Sequence, residues 1–467
     1  MKPVFDRAAF RALAALIIWA PIPLGSNRPW AWAVLEAWVF AIALLWIAAL
    51  LRREIVPAPA LRSAAPVLVL LALWLVHLLL QWVALPVDLV RFVSPRAAEI
   101  QAGAAYLHDG RQFTLSLDPD ATFGFWLKSC AYALAFTLTL ALVRRRQRLL
   151  WLCGAIVATG VLQAVYGSLM HMAGADIAVL GTPIQHASQA SGSYVNRNHF
   201  AGLLEMCLAM GIGLMIAQLE DRPSRGWKEF ARNILSLILS PKAALRVLLV
   251  VMVVALVMTR SRTGNTAFFA SLLVTGVLAL VLSKAAPRGT VLLIGSLIAI
   301  DVLVIGAWFG VERTIQRIEQ TTQIQVEQRS DPAAYIVRIF EDYPLVGTGG
   351  GTFYTAFTRY RGHDIAPYFD HAHNDYLQVL VETGAIGSAL AGLVVLASLL
   401  CAVLALARRR DPLARGVAFG VVMGVTALGI HSAVDFNLQI PANALLFSVL
   451  LALGWLSLHL GRDDRAY

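Results

Sequence analysis

The densest polar segment in this mostly apolar chain is His371-Ala372-His373-Asn374-Asp375-Tyr376, which runs on as LQVLVETGAIG into an apolar stretch. Asn374 or Asp375 suits the N-cap of the helix that follows. The two imidazoles then sit at a helix N-terminus, where free N–H groups and the positive end of the dipole favour anionic groups. The same position favours neutral imidazole, the form a general base needs. Glu382, one or two turns on, is placed to orient the motif. Two other readings stand beside this one. His-x-His is also what a solvent-facing pair at a loop end looks like. It is also the start of a divalent-metal site if His363, Asp370 or Asp375 joined it, although the spacing matches no strong metal motif.

A second segment, Thr259-Arg260-Ser261-Arg262-Thr263-Gly264, falls between two apolar runs. Arginine presents a fork of donors that matches phosphate oxygens, and charge at a membrane boundary is costly and often functional. The alternative is snorkelling to lipid headgroups. Arg329 and Arg338 flank SDPAAYIV, Lys128 lies just inside an apolar run, and Arg197 and His199 sit in YVNRNHFAG. Together they suggest a site for an anionic group held at the lipid boundary, such as a lipid diphosphate. Glu36, Glu205 and Asp301 lie within apolar runs, either to pair with these cations or as buried structural partners. His431 and Asp435 are four residues apart and share a helix face, as a hydrogen-bonded pair or a helix-end polar pair.

These residues need a membrane scaffold to position them. The chain has 467 residues, 58% hydrophobic and 14% charged, with mean hydropathy +0.69. A soluble domain carries about a quarter charged residues. Twelve candidate spans lie near 8–25, 31–51, 65–85, 123–143, 149–171, 198–218, 245–259, 264–283, 289–310, 384–407, 414–434 and 442–460. The N-terminal run resembles a signal peptide, but no small-x-small cleavage site follows, so a retained first helix is expected. Of 38 Lys and Arg, 24 fall on one side of these spans, mostly in short loops, and 14 on the other, diluted through long ones. The positive-inside rule therefore puts both termini in the cytoplasm. It also accounts for the net charge of +10 without nucleic acid. Cys130, Cys153, Cys207 and Cys401 all fall in apolar runs with no CxxC pair, which argues against disulfides and zinc.

The expected organisation is an all-α polytopic membrane protein. Residues 1–310 hold spans 1–9 with an outer loop at 86–122. Residues 311–383 form a large outer loop carrying short helices, and 384–467 hold spans 10–12. The large loop begins with the polar helical segment VERTIQRIEQTTQIQVEQ and continues through DYPLVGTGGGTF to the histidines. A loop this long is functional or disordered, and its aromatic and histidine content argues against disorder.

HAHNDYLQVLVETGAIG resembles the signature of the bacterial O-antigen ligase and O-antigen polymerase superfamily, in which His-Asn or His-Ser precedes a Leu-containing helix and Glu-x-Gly. The stretch from Arg329 through FEDYPLVGTGGGTF and the segment TRSRTG resemble further parts of the family pattern. NRNHFAG and HSAVDFNLQIPANA resemble a subgroup found with exopolysaccharide genes. The resemblance covers about residues 190–440 and implies a GT-C-like fold in the bacterial inner membrane, with a periplasmic active site. It implies transfer of a glycan from an undecaprenyl-diphosphate carrier to lipid A–core, another glycan or a protein hydroxyl, with inversion and without metal or other cofactor. By position His373 matches the family base, and Arg260 or Arg262, with Arg329, the arginines that hold the diphosphate. Arg338, Lys128, Arg197, His199, His371, Asn374, Glu382, His431 and Asp435 are the expected substrate-binding residues. Ligase-type transfer leads, and repeat-unit polymerisation is the close alternative. A transporter of the same lipid would place polar residues near the midplane and often show a repeated half.

Overall fold

In a computed structural model, residues 4–103, 112–174, 178–179, 182–183, 189–218, 241–282, 295, 333–362 and 369–461 are described. They form sixteen helices and two antiparallel pairs of two-residue strands. The helices are α1 (Val4–Trp19), α2 (Pro29–Leu51), α3 (Pro59–Ser63), α4 (Ala65–Trp82), α5 (Val87–Val93) and α6 (Pro95–Gly103). Then come α7 (Pro119–Leu142), α8 (Arg146–Ala173), α9 (Arg197–Ala217), α10 (Pro241–Met258) and α11 (Arg262–Leu282). The last are α12 (333–342), α13 (Phe353–Tyr360), α14 (Asp375–Arg408), α15 (Pro412–His431) and α16 (Pro441–His459).

Nine of the described helices are long and apolar enough to cross a membrane. The expected span at 8–25 appears as α1, sixteen residues that stop before Pro21 and Pro23, whose rings cannot continue a helix. The expected span at 245–259 is a shorter apolar helix, Ala244–Met258. Apart from residue 295, the expected span at 289–310 with its Asp301, and the polar segment at 311–328, lie outside the described residues. The span expected at 384–407 is part of a longer helix, because α14 starts at Asp375 and bends at Gly384 (φ 65°).

Helices α9 and α16 form the centre, with 89% of the apolar window of each buried, against 22% for α4 at the periphery. Helix α9 packs most extensively on α15. Lipid tails are as apolar as leucine, so helix association rests on close packing, and small residues permit it. A Cβ on Gly213 would lie 2.2 Å from the Gly416 carbonyl oxygen, and one on Gly416 would lie 2.3 Å from the Gly213 carbonyl oxygen.

The two ends of the bundle differ in chemistry. At the lower end, Arg148 grips the Asp6 carboxylate with both guanidinium nitrogens, and Arg146 pairs with Asp411. Arg409 donates to the Leu458 and Leu460 carbonyls, at 3.2 and 2.7 Å. The short connections rich in arginine thus meet at one end.

The upper end carries an extra layer. Segments 85–117 and 333–372 share a separate apolar cluster that includes Val90, Phe113, Ile339, Tyr343, Phe353 and Phe357. The described parts of the two long connections read from the sequence therefore fold together, and 86–122 contains α5 and α6. Gln81, fully buried in α4, joins layer to bundle: its amide donates to the Val346 and Glu382 carbonyls at 2.5 and 3.0 Å and accepts from Gly350 N–H at 3.0 Å. Gly347 (φ +74°) lies against the bend of α14, where an added Cβ would stand 2.4 Å from the Glu382 carbonyl carbon. The glycine-rich stretch is thus a close-approach surface.

The α9–α15 contact yields a stability prediction. Gly213→Leu should destabilise the detergent-solubilised protein by about 2 kcal/mol or more. Gly154→Leu, whose added Cβ meets nothing within 4 Å, should leave the melting temperature nearly unchanged.

Candidate functional site

The site is built from three helix beginnings and one loop. Asn374 is the N-cap of α14: its side-chain oxygen accepts Leu377 N–H at 3.0 Å, and its amide donates to the Ala433 carbonyl at 2.7 Å. Such a cap contributes about 1 kcal/mol. Asp375, buried beside it, does something the sequence did not suggest. Its carboxylate accepts Ser432 Oγ–H at 2.7 Å and Leu438 N–H at 3.1 Å, and its own N–H donates to the Ser432 carbonyl at 2.9 Å. These bonds bind the loop 432–440 to the start of α14.

Phe436, on that loop, is the platform of the site. His371 stacks on it with ring centroids 4.4 Å apart, while His373 and His199 meet it edge-on at 4.8 and 4.5 Å. His373 also meets Phe369 at 6.0 Å. His373 has φ 49°, in the left-handed region that non-glycine residues seldom occupy. A backbone held there costs of order 1 kcal/mol or more and is found at functional positions when the surroundings enforce it. Both motif histidines are half-buried, whereas His199 is buried.

Below the platform lies a chain of acids and imidazoles. Asp435 Oδ1 is 3.4 Å from His199 Nε2, and Asp435 Oδ2 is 3.9 Å from His431 Nε2. His431 Nδ1 lies 2.8 Å from Glu205 Oε1. Burial alone would push the Asp435 carboxyl up, but the neighbouring imidazoles of His199 and His431 hold it well below the usual carboxylate range. The expected His431–Asp435 pair is therefore one link of a longer chain, and Glu205 is its far end. Gly202 and Asn437 close the packing beside it: a Cβ on Gly202 would fall 2.2 Å from Asn437 Oδ1.

The Thr259–Gly264 turn alternates in role. Thr259 and Ser261 are buried and hold the backbone: Thr259 Oγ1 accepts Ser261 N–H, and Ser261 Oγ accepts Gly264 N–H. Arg260, with φ 53°, and Arg262 are left exposed. Both lie close enough to Arg197, at the start of α9, for their charges to act on it. Arg197 also donates to Gln189. Two residues further along α9, His199 reaches Phe436, so the start of this helix borders both the arginine turn and the aromatic platform.

Other expected residues fall elsewhere. Lys128 Nζ lies over the Trp32 ring, 4.7 Å from its centroid, where the charges of Glu36 and Glu382 act on it. Arg338 is exposed on α12, over Tyr335. Arg329 and His363 lie outside the described residues. Glu382 does not touch the histidines. Its carboxylate accepts N–H groups of Gly351 and Phe353 at 3.0 and 3.2 Å, capping α13, and accepts Gln378 Nε2–H at 3.1 Å. Gln378 and Phe436 were the omissions. Gln378 lies four residues from Glu382, a helical spacing that could have found it; Phe436 carried no polar signal. Among the described residues, no three or more His, Cys, Asp or Glu are grouped to hold a metal ion.

Residues 247–392 match the family model described as O-antigen ligase. The match runs from α10 into α14 and includes Arg260, Arg262 and both motif histidines. It supports the O-antigen ligase and polymerase superfamily, whose members are glycosyltransferase-like enzymes. No curated protein matches the chain.

Burial pushes the His371 imidazole down from 6.5 to about 4, against the attraction of Asp370. Because the folded value lies below the unfolded one, the neutral ring contributes stability that is complete above about 6.5 and lost as pH falls toward 4. The melting temperature should fall across that window. His371→Gln should remove part of the fall, seen as a shallower slope of melting temperature against pH.

Proposed function

With that superfamily as the premise, we propose that the protein is a glycosyltransferase of the bacterial inner membrane that moves a glycan from an undecaprenyl-diphosphate carrier to an acceptor hydroxyl. The upper end is its periplasmic face. The observation that carries this reading is His373, held in a left-handed backbone conformation at the mouth of α14 beside Phe436. His373 takes the proton of the acceptor hydroxyl as that oxygen attacks the anomeric carbon from the face opposite the diphosphate. The bond from anomeric carbon to phosphate oxygen breaks, and its electron pair leaves with the diphosphate. Arg260 or Arg262, with Arg197 nearby and Arg329 by family position, stabilises the charge that develops there. Asn374 and Asp375 hold the base in place, and positioning of donor and acceptor supplies a further part of the rate.

Ligase-type transfer, with lipid A–core or a similar acceptor, leads. Polymerisation of lipid-linked repeats is the second reading, favoured by one observation. His199, Asp435 and Phe436, which lie in the two segments resembling the exopolysaccharide subgroup, stand directly beside the motif histidines.

His373→Asn is the informative variant, because asparagine tolerates the left-handed conformation and should leave the fold intact. It should lower transfer by about 10²–10⁴-fold in reconstituted vesicles with a lipid-linked donor, with the melting temperature unchanged. Wild-type rates in this variant would sink the base assignment. In a strain lacking the protein, long glycan left on the carrier identifies a ligase, and single repeats on the carrier identify a polymerase.

A further inference from the structure

His371, the first of the two motif histidines, has a side-chain hydrogen-bond partner in Gln378. Gln378, fully enclosed one turn into α14, touches three groups. Its Oε1 accepts Ala372 N–H at 3.1 Å. Its Nε2 lies 3.1 Å from Glu382 Oε1 and 3.0 Å from His371 Nδ1.

The first two contacts fix which end of the amide is which. A backbone N–H can only donate, so the atom facing Ala372 is the oxygen. A carboxylate accepts, so the atom facing Glu382 is the nitrogen. Flipping the amide would set two donors against each other at Ala372 and two acceptors at Glu382. The nitrogen has a second N–H, and His371 Nδ1 is its partner. Nδ1 must then be the unprotonated, accepting nitrogen, and in a neutral ring the proton resides on Nε2. Glu382 is itself fixed by the N–H groups of Gly351 and Phe353. The tautomer is thus enforced from the start of α13, through Glu382 and Gln378, to the ring stacked on Phe436.

We propose that Gln378 is a positioning residue that locks His371 as an Nε2–H donor, so that His371 binds an oxygen of the lipid-linked donor, such as a phosphate oxygen, and does not act as a base. This rests on the glycosyltransferase reading and divides labour within the motif. His373 accepts a proton, and His371 donates a hydrogen bond. Among the described residues, Asp370, His199, His373 and Glu382 are charged or titratable groups that act on His371 or its partner Gln378.

The test is nitrogen-15 NMR of histidine-labelled protein in nanodiscs, with His371 assigned by its loss in His371→Gln. The wild-type ring should show the neutral Nε2–H form at pH 7. Gln378→Glu places a carboxylate on Nδ1 and should move the proton there or charge the ring, and it should add an ionisation between pH 5 and 8 to the transfer profile. Gln378→Leu removes the lock and should give mixed tautomers, with transfer reduced about fivefold to tenfold, the worth of one neutral hydrogen bond. A wild-type Nδ1–H tautomer overturns the proposal, as does a Gln378→Glu protein whose tautomer and pH profile match wild type. The wild-type spectrum needs no substrate and no variant at Gln378. An inactive protein with the Nε2–H tautomer would therefore count against the transferase reading and leave the lock in place.

Discussion

The buried carboxylate of Asp375 is the contact on which the upper end depends. It joins two elements far apart in the chain, the start of α14 and the loop after α15, through donors from Ser432 and Leu438. A buried carboxyl without such partners would be strongly unfavourable, so the donors from Ser432 and Leu438 tie the loop to the start of α14. On the loop so tied, Phe436 lies between the motif histidines and His199. The aromatic platform, the left-handed turn at His373 and the cap by Asn374 all adjoin this contact.

A second constraint comes from the bundle. Helix α9 is enclosed nearly throughout and still carries Glu205 at zero exposure. Ionisable groups in such surroundings are expensive and are kept paired. Here Glu205, His431, Asp435 and His199 alternate acid and base from the interior toward the platform. The glycines that let α9 and α15 touch also bring these side chains within reach. Close backbone packing and the buried polar chain are thus two sides of one helix contact.

Much of this was legible in the sequence because hydropathy and the positive-inside pattern act residue by residue along the chain. The helical bundle, the arginine-rich end and the capped histidine motif could be read in that way. Asn374 fills the cap position that spacing allows, and His431 and Asp435 do share a face. What could not be read was cross-chain solvation. Nothing local says that Asp375 answers to Leu438, or that Gln81 in α4 would satisfy carbonyls around Gly347 and Glu382. Glu382 illustrates the same limit, since it reaches His371 only through Gln378, and its carboxylate also caps α13. The turn at Thr259–Gly264 was read for its arginines, and its hydroxyls hold the backbone that carries them.

The order of the segments around Phe436 has a consequence for how the protein is made. His199 is synthesised first, the arginine turn and the His371–His373 motif later, and the platform only after α15 has been completed. Every partial chain inserted in the membrane before that point carries the imidazoles without the ring that gathers them. A nascent or C-terminally truncated chain can therefore hold both signature histidines and still lack an assembled site. Biogenesis itself thus delays competence until the final helices are in place.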